Sequence, residues 1–190
     1  MKLAYLGLIA ASTAAAPALA ADITGPRVEG IIAYDRFDPG TGIRAVDNHL
    51  DGVTYGIGLG YDFAVGSNVS LGLDAEVSDS SGDVHVEGTS FIDDISLGRD
   101  LYAGGRITTA LSGRVNLYGK IGYTNQRVRE HLIAGDIEVA GSSNQDGIRA
   151  GIGGQLALGG NSYAGVEYRY SNYEAGAERH QVAATLGFRF

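Results

Sequence analysis

Ser171, His180 and a neighbouring glutamate are the residues of this chain whose types could support nucleophilic catalysis. A serine attacks an ester or amide when a histidine takes its proton and a carboxylate orients the imidazole ring. Glu174 and Glu178 are the carboxylates nearest to this pair in sequence. Polar residues of this kind are also common in exposed loops. We therefore expect no catalysis and keep a site built from these residues only as an alternative.

A divalent cation is the other ligand that the sequence could hold, because one acidic segment carries carboxylates at short spacing. That segment contains Asp83, His85, Glu87, Asp93 and Asp94. A solvated acidic loop has the same composition and is the interpretation that we favour. The four histidines are not spaced like metal ligands; they are His49, His85, His131 and His180. The sequence predicts no metal site and no cofactor.

The charge balance is acidic, with 22 Asp and Glu against 14 Lys and Arg, which argues against nucleic acid as a partner. Residues 1–20 have the pattern of a secretory signal peptide, in which Lys2 precedes an apolar run that ends in Ala18, Leu19 and Ala20. Removing these 20 of the 190 residues leaves 170 and changes the formal net charge from −8 to −9. We expect a single exported domain over residues 21–190, without disulfides because the chain has no cysteine.

Beyond residue 20, apolar residues alternate with polar residues or glycine, and this pattern predicts β-strands. No apolar segment there reaches the roughly 18 residues of a transmembrane helix. A membrane protein without such helices must be a closed barrel, since only closure satisfies every backbone N–H and C=O group in hydrocarbon. The eight predicted strands are Val28–Phe37, Val53–Phe63, Val69–Val77, Leu101–Leu111, Val115–Tyr123, Ile148–Leu158, Ala164–Tyr170 and Val182–Phe190.

The connections between these strands alternate between short and long, as the periplasmic turns and external loops of outer-membrane barrels do. The short connections are Ala64–Asn68, Ser112–Arg114 and Gly159–Ser162, and the long ones are Asp38–Asp51, Ser78–Asp100, Thr124–Asp146 and Ser171–His180. Strand-like alternation continues inside two of the long connections, at Val84 and Val86 and again at Ile137 and Val139. We therefore expect strands that project beyond the membrane from an eight-stranded antiparallel up-and-down transmembrane β-barrel.

Charged residues of both signs collect on the strand face opposite the apolar one. Near the middle of a bilayer, each Arg or Lys facing lipid would cost roughly 2–4 kcal/mol, so this face must point into the barrel. A soluble barrel of lipocalin type would have the opposite arrangement, with an apolar interior. The predicted interior charge network consists of Asp74, Glu76, Arg106, Lys120, Arg149, Glu167, Arg169 and Arg189.

These charges are expected to pair with partners at the same height, because a buried charge without a partner is costly. The interior of an eight-stranded barrel is just wide enough for side chains to fill it. Inward glycines should make room for the long Arg and Lys side chains and for Tyr118, and they are Gly56, Gly58, Gly60, Gly151 and Gly153. The sequence therefore predicts a plugged interior without a continuous channel.

Aromatic residues are expected to form girdles at both lipid interfaces. The predicted lower girdle, on the periplasmic side, contains Tyr61, Phe63, Tyr163, Phe188 and Phe190. The predicted upper girdle contains Tyr34, Phe37, Tyr55, Tyr123, Tyr168 and Tyr170.

Two segments near the end of the sequence resemble a known family. They are Gly165-Val166-Glu167-Tyr168-Arg169-Tyr170-Ser171-Asn172-Tyr173 and the final Leu186-Gly187-Phe188-Arg189-Phe190. They resemble the small porin-like outer-membrane β-barrels related to the OmpA transmembrane domain and OmpX, over about residues 22–190. The resemblance implies location in the bacterial outer membrane, contact with lipid and lipopolysaccharide, and assembly by the barrel-assembly machinery. It also implies that Phe188 and Phe190 belong to the assembly signal. OmpA's peptidoglycan-binding domain has no counterpart here, so we do not expect cell-wall anchoring.

We expect a structural or surface-interaction role, with long external loops that contact an extracellular partner. A narrow pore for water or small solutes is the first alternative. A lipid A-modifying enzyme is the second, because some barrels of this kind deacylate or acylate lipid A. The set around Ser171 and His180 does not reproduce the His-x-Ser arrangement of the deacylases.

Overall fold

The strands of this protein close into a barrel in which consecutive neighbours run antiparallel. The computed structural model describes residues 23–38, 50–81, 83–88, 91–134 and 137–190, so the predicted signal peptide lies outside it. A 3₁₀ turn over Glu174–Gly176 separates the last two strands. The strands are β1 (Gly25–Asp38), β2 (Leu50–Ala64), β3 (Val69–Ser80), β4 (Asp83–Gly88), β5 (Phe91–Ala110), β6 (Val115–Ala134), β7 (Ile137–Gly159), β8 (Ser162–Tyr173) and β9 (Glu178–Arg189).

Eight of these strands form the wall of the barrel. β1 pairs with both β2 and β9, and β3 pairs with β5, which closes the sheet. β4 follows β3 and continues the pairing along β5, from Asp83 opposite Ser96 to Gly88 opposite Phe91. β3 and β4 therefore occupy one position in the wall. The predicted eight-stranded up-and-down barrel is confirmed.

The alternation of burial follows the predicted faces closely. In β9, Gln181, Ala183 and Thr185 are buried while Val182 and Ala184 are exposed, and the same alternation runs through β2 and β3. In β1 the sequence Gly30-Ile31-Ile32-Ala33 leaves the alternation unclear, and the structure has Ile31 and Ala33 buried inside the barrel, where they contact Ala183. The exposed apolar band is the surface that lipid covers.

The strands on one side of the barrel are much longer than the bilayer requires. A tilted strand crosses in about 9–11 residues, whereas β5 and β6 have 20 residues each and β7 has 23. The predicted loops Ser78–Asp100 and Thr124–Asp146 are accordingly largely strand. The strand structure predicted at Val84 and Val86 and at Ile137 and Val139 is confirmed in β4 and at the start of β7.

Within the described ranges, no helix is long and apolar enough to cross a membrane.

The charged barrel interior as candidate functional site

The interior of the barrel is filled by a network of buried charges. All eight side chains of the predicted network are buried there, and the same space holds six further charged residues. In the described part of the chain, the buried charges number seven cations and seven anions, so the interior is formally neutral. The six outside the predicted set of eight are Arg27, Glu29, Asp35, Asp62, Asp100 and Arg179, of which Glu29 and Asp62 were expected inside the barrel at its lower end.

The lower part of the network is centred on Arg27, close to the short turns. Its guanidinium group contacts Asp62 at 2.9 Å and Glu29 at 3.3 Å, and it also bonds to Asp74. Arg189 reaches the same Asp62 carboxylate at 3.0 Å. Glu29 also accepts hydrogen bonds from the Tyr163 hydroxyl at 2.8 Å and from the Gln155 amide at 3.2 Å.

The middle part of the network is a group of two cations and two anions. Lys120 Nζ lies 2.5 Å from Glu76 Oε1 and 2.8 Å from Glu167 Oε1. Arg169 contacts the same two carboxylates, Glu76 at 3.0 Å and Glu167 at 2.8 Å. The Tyr118 hydroxyl donates to Glu167 at 2.7 Å, and the guanidinium carbon of Arg106 lies 3.5 Å from the centre of the Tyr118 ring. Tyr118 thus joins the middle group to the lower one.

The upper part of the network surrounds Arg179, whose side chain is fully buried. Its guanidinium group contacts Asp35 at 2.5 Å and Asp100 at 2.9 Å, and it donates to Thr54 Oγ1 at 2.8 Å. Arg149 also bonds to Asp100. Two buried carboxylates are thereby held by two guanidinium groups.

Charges were predicted to pair by height, with Glu29, Asp62 and Arg189 low, Asp74, Arg106, Lys120 and Glu167 in the middle, and Glu76, Arg149 and Arg169 high. Ion pairs form within each of these groups, as between Arg189 and Asp62 at 3.0 Å, Lys120 and Glu167 at 2.8 Å, and Arg169 and Glu76 at 3.0 Å. Other pairs join neighbouring groups, such as Arg106 with Glu29 at 3.5 Å and Lys120 with Glu76 at 2.5 Å. Of the predicted top group, Arg149 is the member that bonds to the upper cluster.

Glycines provide the space for the largest interior side chains. A Cβ atom at Gly153 would lie 2.5 Å from Cζ of Tyr118, and one at Gly151 would lie 2.6 Å from Glu167 Oε1. A Cβ at Gly60 would overlap the guanidinium group of Arg27. The predicted role of inward glycines therefore holds at these three positions.

An apolar cluster covers the charged network at the end of the barrel with the long strands. Phe37, Leu97, Val128, Tyr173 and Ala177 pack together there, and the rings of Phe37 and Tyr173 lie 6.2 Å apart. Such a cluster keeps water from the upper ion pairs.

The prediction of the aromatic girdles is wrong for two residues. Phe37 lies inside this apolar cluster, and Tyr163 is buried against Glu29 instead of facing lipid. Both residues share the inward face of their strands. Aromatic identity at a strand end was a weaker signal than the strict two-residue alternation.

The structure separates the residues of the alternative catalytic set. Ser171 points into the barrel and accepts a hydrogen bond from Arg149 Nε at 2.9 Å. His180 is opposite Tyr170 in the β8–β9 pairing and bonds to the Tyr168 hydroxyl on the outer surface, at 2.7 Å. Ser171 and His180 therefore lie on opposite faces of the barrel wall, since neighbouring positions of paired strands point to opposite faces.

The acidic segment of the alternative cation site runs along β4 and the start of β5. His49 and the side chains of Asp83, His85, Glu87, Asp93, Asp94 and His131 lie outside the described part of the structure. The backbone of β4 and β5 places His85 opposite Asp94.

Phe188 and Phe190, the predicted assembly signal, lie on the outer surface where the barrel closes. Their rings are 5.0 Å apart, and Phe190 is 68% exposed. The backbone N–H of Phe190 donates to Pro26 O at 2.9 Å, so the last residue is paired with the beginning of β1.

Comparison with known proteins supports an outer-membrane barrel. The model of the outer membrane protein beta-barrel domain family matches residues 6–190. Ail of Yersinia pestis has a similar structure, with a TM-score of 0.59 and 16% identity over 88% of this chain and 100% of that chain. Neisserial surface protein A gives a TM-score of 0.56 and 14% identity over 88% and 98% of the two chains. No curated protein sequence gave a significant match.

The identities to these solved structures are low, so they show a shared fold alone. The family match spans nearly the whole chain and agrees with the closed sheet, the apolar outer band and the polar interior. The chain belongs to the outer membrane protein beta-barrel domain family, and it is a protein of the bacterial outer membrane.

Proposed function

We propose that this protein is a non-catalytic surface-interaction barrel, in which the membrane-spanning part supports a β-sheet that projects from the cell. The observation that carries the proposal is the length of β5, β6 and β7. Together with β4, their upper parts form a four-stranded antiparallel sheet beyond the bilayer. A protein with only a structural role in the membrane has no need of such an extension.

One edge of the projecting sheet is open for pairing. Residues 137–146 of β7 pair with β6, but β8 first pairs with β7 at Gly147, opposite Tyr173. Among the described residues, no strand covers the other side of this segment. The segment contains neither lysine nor proline, the residues that commonly protect exposed edges. An extended peptide of a partner can add to such an edge through backbone hydrogen bonds.

The acidic tip of the projecting sheet, formed by β4 and the start of β5, favours a basic partner. Residues 83–97 contain Asp83, Glu87, Asp93 and Asp94 without a lysine or arginine. Ail has a solved structure in complex with the heparin analogue sucrose octasulfate. The acidic tip of the present protein would repel such a polyanion, so we propose a basic extended segment of an extracellular protein as the partner.

Selection of peptides on the refolded barrel tests this proposal. A random peptide library on phage would be selected on the intact protein and counter-selected on a shortened variant, with Asn-Gly in place of residues 127–144. The variant keeps the pair Gln126 and Gln145 as the base of a two-residue hairpin. We expect enrichment of peptides in which β-branched residues alternate with Lys or Arg. Peptides that bind both proteins equally would contradict the proposal.

A narrow pore is the alternative that the filled interior disfavours. The three groups of ion pairs and the apolar cluster occupy the axis of a barrel that has no width to spare. In planar lipid bilayers, we therefore expect the purified protein to give no stable open-channel currents. Large and reproducible conductance steps would overturn the plugged interior and favour the pore.

A further inference from the structure

Three arginines lie together on the outer surface of the barrel, just beyond its upper aromatic residues. Arg127 and Arg129 follow Tyr123 on the exposed face of β6, while Gln126 and Val128 point inward. Arg99 of β5 donates through Nη2 to Asn125 Oδ1 at 3.2 Å. Because Asn125 is two residues beyond Tyr123, the guanidinium group of Arg99 lies directly above the apolar band.

A bulge in β5 directs Arg99 outward. The pairing of β5 with β6 shifts register between Leu97 and Asp100, and both of these residues are buried. The two residues between them are Gly98 and Arg99. A Cβ at Gly98 would lie 3.5 Å from the guanidinium carbon of Arg129, so Arg129 lies across the bulge beside Arg99. A bulge is a common means of redirecting a side chain.

These three arginines differ from Arg36 and from the interior cations in the kind of residue that they contact. Across the described residues, no carboxylate forms an ion pair with Arg99, Arg127 or Arg129, whereas every buried cation of the interior has at least one. Arg36, on the outer face of β1, contacts Asp51 at 3.3 Å. The polar contacts of the cluster are neutral, with Asn125 for Arg99 and Ser142 for Arg127 at 3.0 Å.

An apolar groove on the outer surface is lined in part by Arg99, one member of this cluster. It has a volume of about 480 Å³, and Arg99 and Asp79 are the charged residues that line it. Its apolar lining includes Tyr55, Ile57 and Val77. A groove of this character fits a hydrocarbon chain, and the guanidinium group of Arg99 beside it fits an anionic headgroup.

We propose that Arg99, Arg127 and Arg129 bind the phosphate groups of lipid A in the outer leaflet, with one acyl chain of the same molecule in the groove. A guanidinium group binds phosphate oxygens through two parallel N–H donors, and the interfacial depth of the cluster matches a lipid headgroup. The cluster adjoins the projecting edge of β7 through the hydrogen bond from Arg127 to Ser142. The test below changes Arg99 and Arg129 and measures lipid binding, so its outcome does not depend on the partner proposed above.

Native mass spectrometry of the refolded barrel in detergent, titrated with lipid A, tests this site. The parent protein should bind lipid A carrying both phosphates about tenfold more tightly than enzymatically dephosphorylated lipid A. The double variant Arg99→Gln/Arg129→Gln should lose this preference. Arg36→Gln is the matched control, since it removes an exposed arginine that already has a carboxylate partner, and it should bind like the parent. Heat-modifiability on gels would verify that each variant is folded.

Three results would overturn the proposal. The first is a parent protein that binds the two forms of lipid A equally, a comparison that needs no variant. The second is an equal loss in Arg36→Gln, which would indicate general charge attraction. The third is binding of soluble sucrose octasulfate, without lipid A, that disappears in the double variant and leaves lipid A binding intact. That result would assign the arginines to an extracellular polyanion.

Discussion

Replacing Lys120 with alanine should lower the free energy of unfolding of the refolded barrel by about 3–5 kcal/mol. The ammonium group lies between Glu76 and Glu167, and all three side chains are buried. Without it, these two carboxylates would share Arg169 alone among the cations of the middle group. The cost comes mainly from the buried negative charge left behind. Urea unfolding in lipid vesicles measures it.

Two further variants separate this effect from a simple loss of packing. Arg36→Ala breaks an exposed ion pair and should cost less than about 1 kcal/mol. Adding Glu76→Gln to Lys120→Ala removes one charge of each sign and should recover part of the lost stability. A Lys120→Ala barrel that unfolds at the parent's urea concentration would contradict the inward placement of this charge.

Deleting Phe190 should sharply lower the amount of barrel in the outer membrane while leaving the finished structure nearly as stable as before. The ring faces lipid and contacts Phe188, so it adds little to the interior. β9 must nevertheless pair with β1 to remove both sheet edges, and Phe190 lies where that closure ends. Losing the ring should therefore slow assembly more than it weakens the product. Quantitative blots of outer-membrane fractions measure the effect in cells.

Refolding in detergent supplies the comparison for this variant. The deleted protein should remain strand-rich and heat-modifiable there, because the interior network is unchanged. Phe190→Tyr keeps an interfacial ring, and Arg189→Lys keeps the buried charge opposite Asp62. Both should assemble nearly normally. Normal outer-membrane levels of the deletion at ordinary expression would exclude this terminus as the recognition element.

The sequence predicted which side chains face the barrel interior wherever apolar and polar residues alternate clearly. Glu167 and Arg169 lie in a run where every second residue is apolar, and both were assigned to the correct face. Asp35 follows the segment Gly30-Ile31-Ile32-Ala33, in which both faces are apolar or glycine, so its direction was ambiguous. Asp100 and Arg179 were placed in loops, although extending the two-residue period by a few positions puts them on the faces of Arg106 and Arg189.

The sequence by itself determined the class of this protein. Its strands alternate with a period of two, and the charges are confined to the face opposite the apolar one. This pattern indicates a barrel whose apolar face contacts lipid, because hydrocarbon tolerates neither unpaired backbone groups nor unpaired charges. Only the tertiary structure decided which charges meet, how far β5 to β7 project, and that Arg99 turns outward at a bulge. Partner choice depends on side-chain reach across strands that are distant in sequence, as with Arg179 and Asp35. Alternation along one strand fixes the face of a residue but carries no information about its height relative to the opposite wall.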